Sequence, residues 1–377
     1  MKTLFPDYNR CQVNIANSIL KYYGAKTSHS SLKELDKYLN KDYKNVVLIL
    51  YDGFGSKLIE NNLGKDSFLC KNKVDDLTAV FPATTTAATT SIISGLTPIE
   101  HCWLGWNIYV KSLDKTVTMF KNVLKDTDTP AADYNVTKRE FPYATIFDQI
   151  NATDHCQAHY LSPFDGTHYD TNNLDDMYDK IANICGNGEK NFVYAYCAEP
   201  DATMHGYGTR SDQSIDMMRF LDDKTKELCD RLGDDTLIII TADHGHMDIK
   251  KHFVLTDYPK LKNMLARETS LETRAVNFFV KEGMIKAFQQ EFKKQFSEDD
   301  FILSTKREVI DRRLFGDGTP NAKFDSCLGD FLVIAVSDAS IVDDYNAPSL
   351  GLKSHHAGLT ENEVLIPLII IDKKSQT

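Results

Sequence analysis

Four runs of almost uninterrupted apolar residues constrain this chain more than any other feature: 46–50 (VVLIL), Asn191–Cys197 (NFVYAYC), Thr236–Thr241 (TLIIIT) and 366–371 (IPLIII). A strand with one wet face alternates polar and apolar residues, so runs like these belong to strands covered on both faces. Helical patterns at 171–184 and 211–232 lie between them. The alternation predicts a doubly wound α/β fold, with a mostly parallel central sheet flanked by helices. In such sheets, sites assemble beyond the carboxyl ends of the strands. The first three runs end in Tyr51-Asp52-Gly53, Ala198-Glu199-Pro200-Asp201 and Ala242-Asp243-His244-Gly245.

The rest of the chain is arranged around that core. Residues 1–44 read as a helical packing extension, with Ile15, Ile19 and Leu20 and then Leu32, Leu35 and Leu39 at helical spacing. The core is expected over 45–252 and 329–377. Between these, 253–328 breaks the rhythm with a strand-like piece at 276–280, a charged helix at 281–296 and a basic, aromatic stretch ending in Phe315-Gly316-Asp317-Gly318. It is expected as a smaller inserted cap lobe.

Asp and His collect in three clusters, Asp201-Ala-Thr-Met-His205, Asp243-His244-Gly-His246 and His355-His356-Ala-Gly, with Asp52 alone after the first strand. Carboxylate and imidazole in this ratio suit zinc or another borderline divalent cation, and six or seven such groups exceed one tetrahedral site. Two ions are the economical reading. Asp201 and His205, spaced i and i+4, face the same way on a helix. Any one cluster alone reads as a turn or a cap; their collection at one sheet edge is what argues for a site.

A nucleophile is supplied by the stretch 81–95 (FPATTTAATTSIISG). Pro82 and the hydroxyl cluster read as a helix start, the Ala/Ile-rich continuation as its body and Gly95 as its stop. A threonine there presents its hydroxyl, and nearby backbone N–H groups, to a bound anion. A divalent cation is what makes threonine a competent nucleophile.

Charge and cysteine usage narrow the partners. There are 43 Lys and Arg against 54 Asp and Glu, a net charge of −11, and no basic block, which argues against a nucleic-acid polymer as partner. Eight cysteines without a CxxC pair read as reduced structural thiols. No secretory h-region and no run of about 18 apolar residues is present, so neither a membrane partner nor export is expected, and the cytoplasm is the expected location.

With these residues assembled, the chain resembles the alkaline phosphatase superfamily, in its type I phosphodiesterase / nucleotide pyrophosphatase branch. The resemblance rests on 46–55 (VVLILYDGFG), 81–101 (FPATTTAATTSIISGLTPIEH), 199–206 (EPDATMHG), 241–245 (TADHG) and His356-Ala-Gly358 followed by Ile366-Pro367, in the family's order. It implies two divalent metal ions, zinc in first place with manganese as an alternative. Asp52, Thr85, Asp243 and His244 would hold the first; Asp201, His205 and His356 the second, His356 being preferred to His355 because it directly precedes Ala-Gly. Thr85 matches the F-P-x-x-T nucleophile, while Thr84 and Thr86 are expected to cap or to pack. His246 and Asp248 are read as outer or solvent-facing loop residues.

Two departures from the family pattern stand out. Cys102 follows His101 where the family has glycine, and Trp106 falls where the nucleotide pyrophosphatases have an asparagine that holds a phosphate oxygen. Asn107, one residue further, is carried as that contact. Trp103 and Trp106 are expected in buried packing, and Arg274, Arg312, Arg313 and Lys323 on the solvated surface. The resemblance implies a metal-dependent phosphoester hydrolase working through a phosphothreonine, acting as a phosphodiesterase or nucleotide pyrophosphatase on a small phosphoester. The alternatives are a phosphomonoesterase or phosphonate-ester hydrolase of the same superfamily, and, further off, a non-catalytic metal-binding protein. The acidic total does not oppose an anionic substrate, because two divalent ions outweigh the three carboxylates at the centre.

Overall fold

The computed structural model describes residues 2–164 and 166–375. A six-stranded sheet runs in the order Lys73–Thr78, Leu365–Asp372, Thr236–Thr241, Asn45–Tyr51, Asn191–Cys197, Gln157–Leu161. Four of these strands are parallel, and Leu365–Asp372 pairs antiparallel with both its neighbours. The three inner parallel strands, Asn45–Tyr51, Asn191–Cys197 and Thr236–Thr241, are buried along their whole length, as their lack of alternation requires. Each wholly buried Ile, Leu or Val there contributes about 1.5–3 kcal/mol through area removed from water.

Register decides where the chemistry sits. Leu50 is level with both Tyr196 and Thr241, so the residues after the three strands emerge side by side. The last strand runs the other way, and the segment leading into it, with His356, therefore lies at that same edge.

The helices form where the pattern places them. Gln12–Tyr22 lies in the amino-terminal extension, and nine of its residues, Gln12 to Leu20, are buried. The long helix Asp212–Arg231 starts at Ser211, whose side chain accepts from the Ser214 N–H. Thr85–Ser94 ends at Gly95, in the left-handed conformation at φ 73°.

A second, seven-stranded sheet runs Phe301–Thr305, Phe331–Ala335, Ala275–Phe278, Ser270–Leu271, Asn107–Val110, Lys115–Thr118, Val123–Leu124. Three of its strands come from 253–328. The others come from 107–124, ahead of most of the core, and from Phe331–Ala335, beyond the expected end of the lobe. The reason is packing: Trp103, Ile108, Val117, Leu271, Leu332 and Ile334 share one buried cluster, which neither segment could cover alone. On this sheet Phe288 and Phe292 of helix Ile285–Gln295 pack against Phe278 and Phe331. Among the described residues no helix is long and apolar enough to cross a membrane.

Candidate active site

At the shared edge Asp52 follows the first strand and is 2 % exposed. The Tyr196 hydroxyl, from the adjacent strand, donates to Asp52 Oδ2. Gly53 follows at φ 72°, and a Cβ there would stand 2.9 Å from the His246 ring and 3.1 Å from the Asp201 Cα. Only glycine allows the turn to come this close to those two residues. The Gly53 N–H donates to Asp243 Oδ1 (3.0 Å), as does the His244 N–H (2.9 Å), while Asp243 Oδ2 is buried without a partner.

Thr85 is the first residue of its helix. Its Oγ1 lies 3.3 Å from Asp52 Oδ2 and 3.2 Å from His244 Nε2. His244 Nε2 in turn lies 3.3 Å from Asp52 Oδ1 and 3.5 Å from Asp243 Oδ2. The four residues expected around the first ion are thus together. The second group is adjoining: His205 Nε2 is 3.4 Å and His356 Nε2 4.0 Å from the Asp201 carboxylate, and the rings of His244 and His356 stack at 3.8 Å. The Asp201–His205 spacing works as expected because helix Asp201–Tyr207 carries both.

Backbone carbonyls orient three of these imidazoles. His205 Nδ1 faces Ser354 O at 2.7 Å, His244 Nδ1 faces Gly245 O at 3.0 Å and His356 Nδ1 faces Ala83 O at 3.2 Å. A carbonyl only accepts, so each Nδ1 carries the proton and each Nε2 lone pair is left pointing into the cluster. His355 differs: its Nε2 is spent on Ser349 O at 2.9 Å.

Electrostatics make the same point. Burial, reinforced by Asp243 and Asp201, pushes the Asp52 carboxyl well above the usual range. Burial drives His356 well below the imidazole range, with His244 adding to it. Burial would also raise Asp201, but His205 and His246 hold it far below. Two buried carboxylates, Asp52 and Asp243, and the half-buried Asp201 face several imidazole lone pairs and repel one another unless cations lie between them. Ligand atoms of Asp52, Asp243 and His244, and of Asp201, His244, His246 and His356, lie within 4.8 Å of one another in each group. This N/O donor set fits a pair of divalent ions.

Several side chains depart from expectation. Of its two readings His246 loses the solvent-facing one: it is 1 % exposed, its Nε2 hydrogen-bonds Asp201 Oδ1, and its Nδ1 lies 2.9 Å from Ser354 Oγ. The repeat of His two residues after His244 was the signal. Asp248 is half-buried and accepts from the Thr209 N–H at 2.7 Å. Arg274 is wholly buried, paired with Glu363 at 2.6 Å instead of solvated. Trp103 is buried, but Trp106 is 36 % exposed and lines the cavity in front of Thr85. Asn107 lines it too, with its Oδ1 accepting from Thr118 Oγ1 at 2.7 Å. The Thr84 hydroxyl donates to Glu272 Oε1 at 2.6 Å, and Thr86 Oγ1 is buried without a partner. Gln12, in the amino-terminal helix, donates to Asp243 O at 2.6 Å and accepts from the Val80 N–H. It ties the extension to the back of the site.

The cavity has a volume of about 510 Å³ and brings Thr85, Asp201, His205 and His356 to one wall and Trp106, Asn107 and Glu272 to another. Burial raises the Glu272 carboxyl to about 7, although Thr84 and the Trp106 N–H oppose the shift.

Comparison with known structures shows the same fold elsewhere. Murine ectonucleotide pyrophosphatase / phosphodiesterase 5 superposes with a TM-score of 0.66 at 17 % identity, over 86 % of this chain and 87 % of that one. An inactive Thr-to-Ala variant of the murine protein in complex with AMP gives 0.67 at 16 %, over 87 % of each chain. Phosphonoacetate hydrolase from Sinorhizobium meliloti 1021, in complex with phosphonoformate, gives 0.63 at 13 %, over 86 % of this chain and 89 % of that one. None of the curated proteins compared by sequence matches. The family model described as type I phosphodiesterase / nucleotide pyrophosphatase matches residues 46–358, and the chain therefore belongs to that family of phosphoester hydrolases within the alkaline phosphatase superfamily.

Proposed function

We propose that the protein hydrolyses small phosphodiesters through a phosphothreonine formed on Thr85. The observation that carries this reading is the position of Thr85 Oγ1, between Asp52 and His244 at 3.3 and 3.2 Å and at the cavity wall. Asp52, Asp243, His244 and Thr85 would hold one divalent cation and Asp201, His205 and His356 the other. When bound, such a pair supplies Lewis-acid charge at the attacking and departing oxygens. Zinc suits these donors best, with manganese as the alternative.

The chain's own groups do the rest. Thr85 Oγ forms a bond to phosphorus in line with the ester oxygen that leaves; water then cleaves the phosphothreonine and releases the second product. With His244 Nε2 on the cation, Asp52 is the acceptor facing the Thr85 hydroxyl, at 3.3 Å, and the start of helix Thr85–Ser94 would offer N–H groups to the phosphoryl oxygens. Asn107, whose Oδ1 is held by the Thr118 hydroxyl, would offer its Nδ2 to a non-bridging oxygen. The inactive Thr-to-Ala variant of the murine structural relative supports a threonine in this role. A reducing, cytoplasmic location is proposed from the eight unpaired cysteines.

The test pairs metal analysis with hydrolysis of bis(p-nitrophenyl) phosphate and p-nitrophenyl phosphate. Two equivalents of cation per chain and faster diester turnover support the reading. Less than one equivalent, or no turnover of either ester after metal is restored, points to the non-catalytic alternative.

A further inference from the structure

Among the described residues lining the cavity, Glu272 is the carboxylate hydrogen-bonded to the nucleophile's own segment. Its Oε1 accepts from the hydroxyl of Thr84, next to Thr85, at 2.6 Å and from the backbone N–H of Trp106 at 2.7 Å. Both donors are thereby spent on one oxygen. No donor among the described residues reaches Oε2, and the side chain is partly open to the cavity. The backbone is built to hold it there. Leu271 has φ 68°, a conformation that costs a leucine about 1 kcal/mol or more. Gly105 packs so tightly on it that a Cβ would stand 3.0 Å from the Leu271 Cα.

The position matters because the backbone N–H of Trp106, a residue lining the cavity, is occupied by a carboxylate, which brings a negative charge to that wall. Apart from the two cations proposed above, the side chains lining the cavity offer little to offset it. Its lining cations are Lys121 and Lys125, its further anions Asp126, Asp128, Asp201 and Asp343, and Lys125 is itself bound to Asp343 and Thr269.

We propose that Glu272 is a specificity-determining residue that sets this site against doubly charged phosphomonoesters and in favour of singly charged phosphodiesters. The proposal rests on the phosphoester-hydrolase reading above. A diester carries one negative charge and a monoester two at alkaline pH. A fixed carboxylate beside the phosphoryl group therefore repels the monoester about twice as strongly, and like charges at such range cost several-fold to many-fold in affinity. The same charge disfavours any substrate with a carboxylate next to phosphorus.

The decisive variant is Glu272→Gln, which keeps Oε1 as an acceptor for Thr84 and Trp106 and removes only the charge. In metal-loaded protein at alkaline pH, the diester-to-monoester ratio of kcat/KM should fall about tenfold or more, chiefly because monoester turnover rises, with metal content unchanged. Calorimetric affinity for inorganic phosphate should rise by a similar factor. An unchanged ratio and unchanged phosphate affinity, or an equal fall of both activities, would overturn the assignment.

A second measurement isolates the charge without turnover: in metal-loaded protein the ratio of diethyl phosphate affinity to inorganic phosphate affinity should fall in Glu272→Gln relative to the wild type, and an unchanged ratio counts against Glu272. If the wild type hydrolyses neither ester, the hydrolase reading fails, while the two binding comparisons still decide the role of Glu272.

Discussion

His246 Nε2 is hydrogen-bonded to Asp201 Oδ1, and its other ring nitrogen lies 2.9 Å from the hydroxyl of Ser354, the residue whose carbonyl fixes His205. One serine thus braces two imidazoles around one carboxylate. Partners of this kind orient ligands, and their removal costs about 10–100-fold in metal affinity. His246→Ala should weaken retention of one of two cations by that factor in a chelator-competition titration, and leave the other in place. Loss of both, or of neither, would show that His246 does not act through Asp201.

Arg274 and Glu363 form a wholly buried ion pair, and Glu363 also accepts from the Gly358 N–H and the Thr360 hydroxyl. This carboxylate anchors the turn that follows His356. Removing one member of a buried pair leaves an uncompensated charge and costs about 3–5 kcal/mol. Arg274→Ala is expected to lose that much stability in urea unfolding, whereas Arg312→Ala, at an exposed position, should change it by less than about 0.5 kcal/mol.

Gly245 is the tightest backbone approach at the site: a Cβ there would stand 2.0 Å from the Asn362 carbonyl oxygen. Gly245→Ala must move either the His244 loop or the turn into the last strand. It should lower both thermal stability and metal content, while Gly351→Ala, which meets nothing within 4 Å, should change neither.

Glu272 also gives a pH signature in metal-free protein. Its carboxyl is raised by burial from 4.5 to about 7, so the folded state holds this proton more tightly than the unfolded chain. The contribution is fully present below about pH 4.5 and is lost as pH rises toward 7. The stability of the wild type relative to Glu272→Gln should therefore decline across that window in urea titrations. A flat difference would show that Glu272 has no raised affinity for its proton.

Much of this was legible in the sequence because it is local. Apolar runs marked the inner strands, and Asp52, Asp201 with His205, and Asp243 with His244 each sit within a few residues of a strand end. His356 is legible only through the family motif, since its place at the edge depends on the final strand running antiparallel. The residues that escaped notice, or like Arg274 were expected at the surface, have distant partners. Glu272 meets Thr84 across 188 residues, Gln12 meets Asp243 across 231, and Arg274 meets Glu363 across 89. No periodicity reports such pairs. The seven-stranded sheet was hidden for the same reason, its strands coming from two segments that share one core.

The central claim is tested most directly by Thr85→Ala in metal-replete protein, with turnover of a chromogenic diester and metal content measured on the same sample. Thr85 supplies one oxygen among several donors at its centre, so cations should be retained at close to two per chain while turnover falls by at least about 10³-fold, the scale on which an enzyme loses its nucleophile. Turnover close to that of the wild type would contradict the assignment of Thr85 and the phosphothreonine route with it.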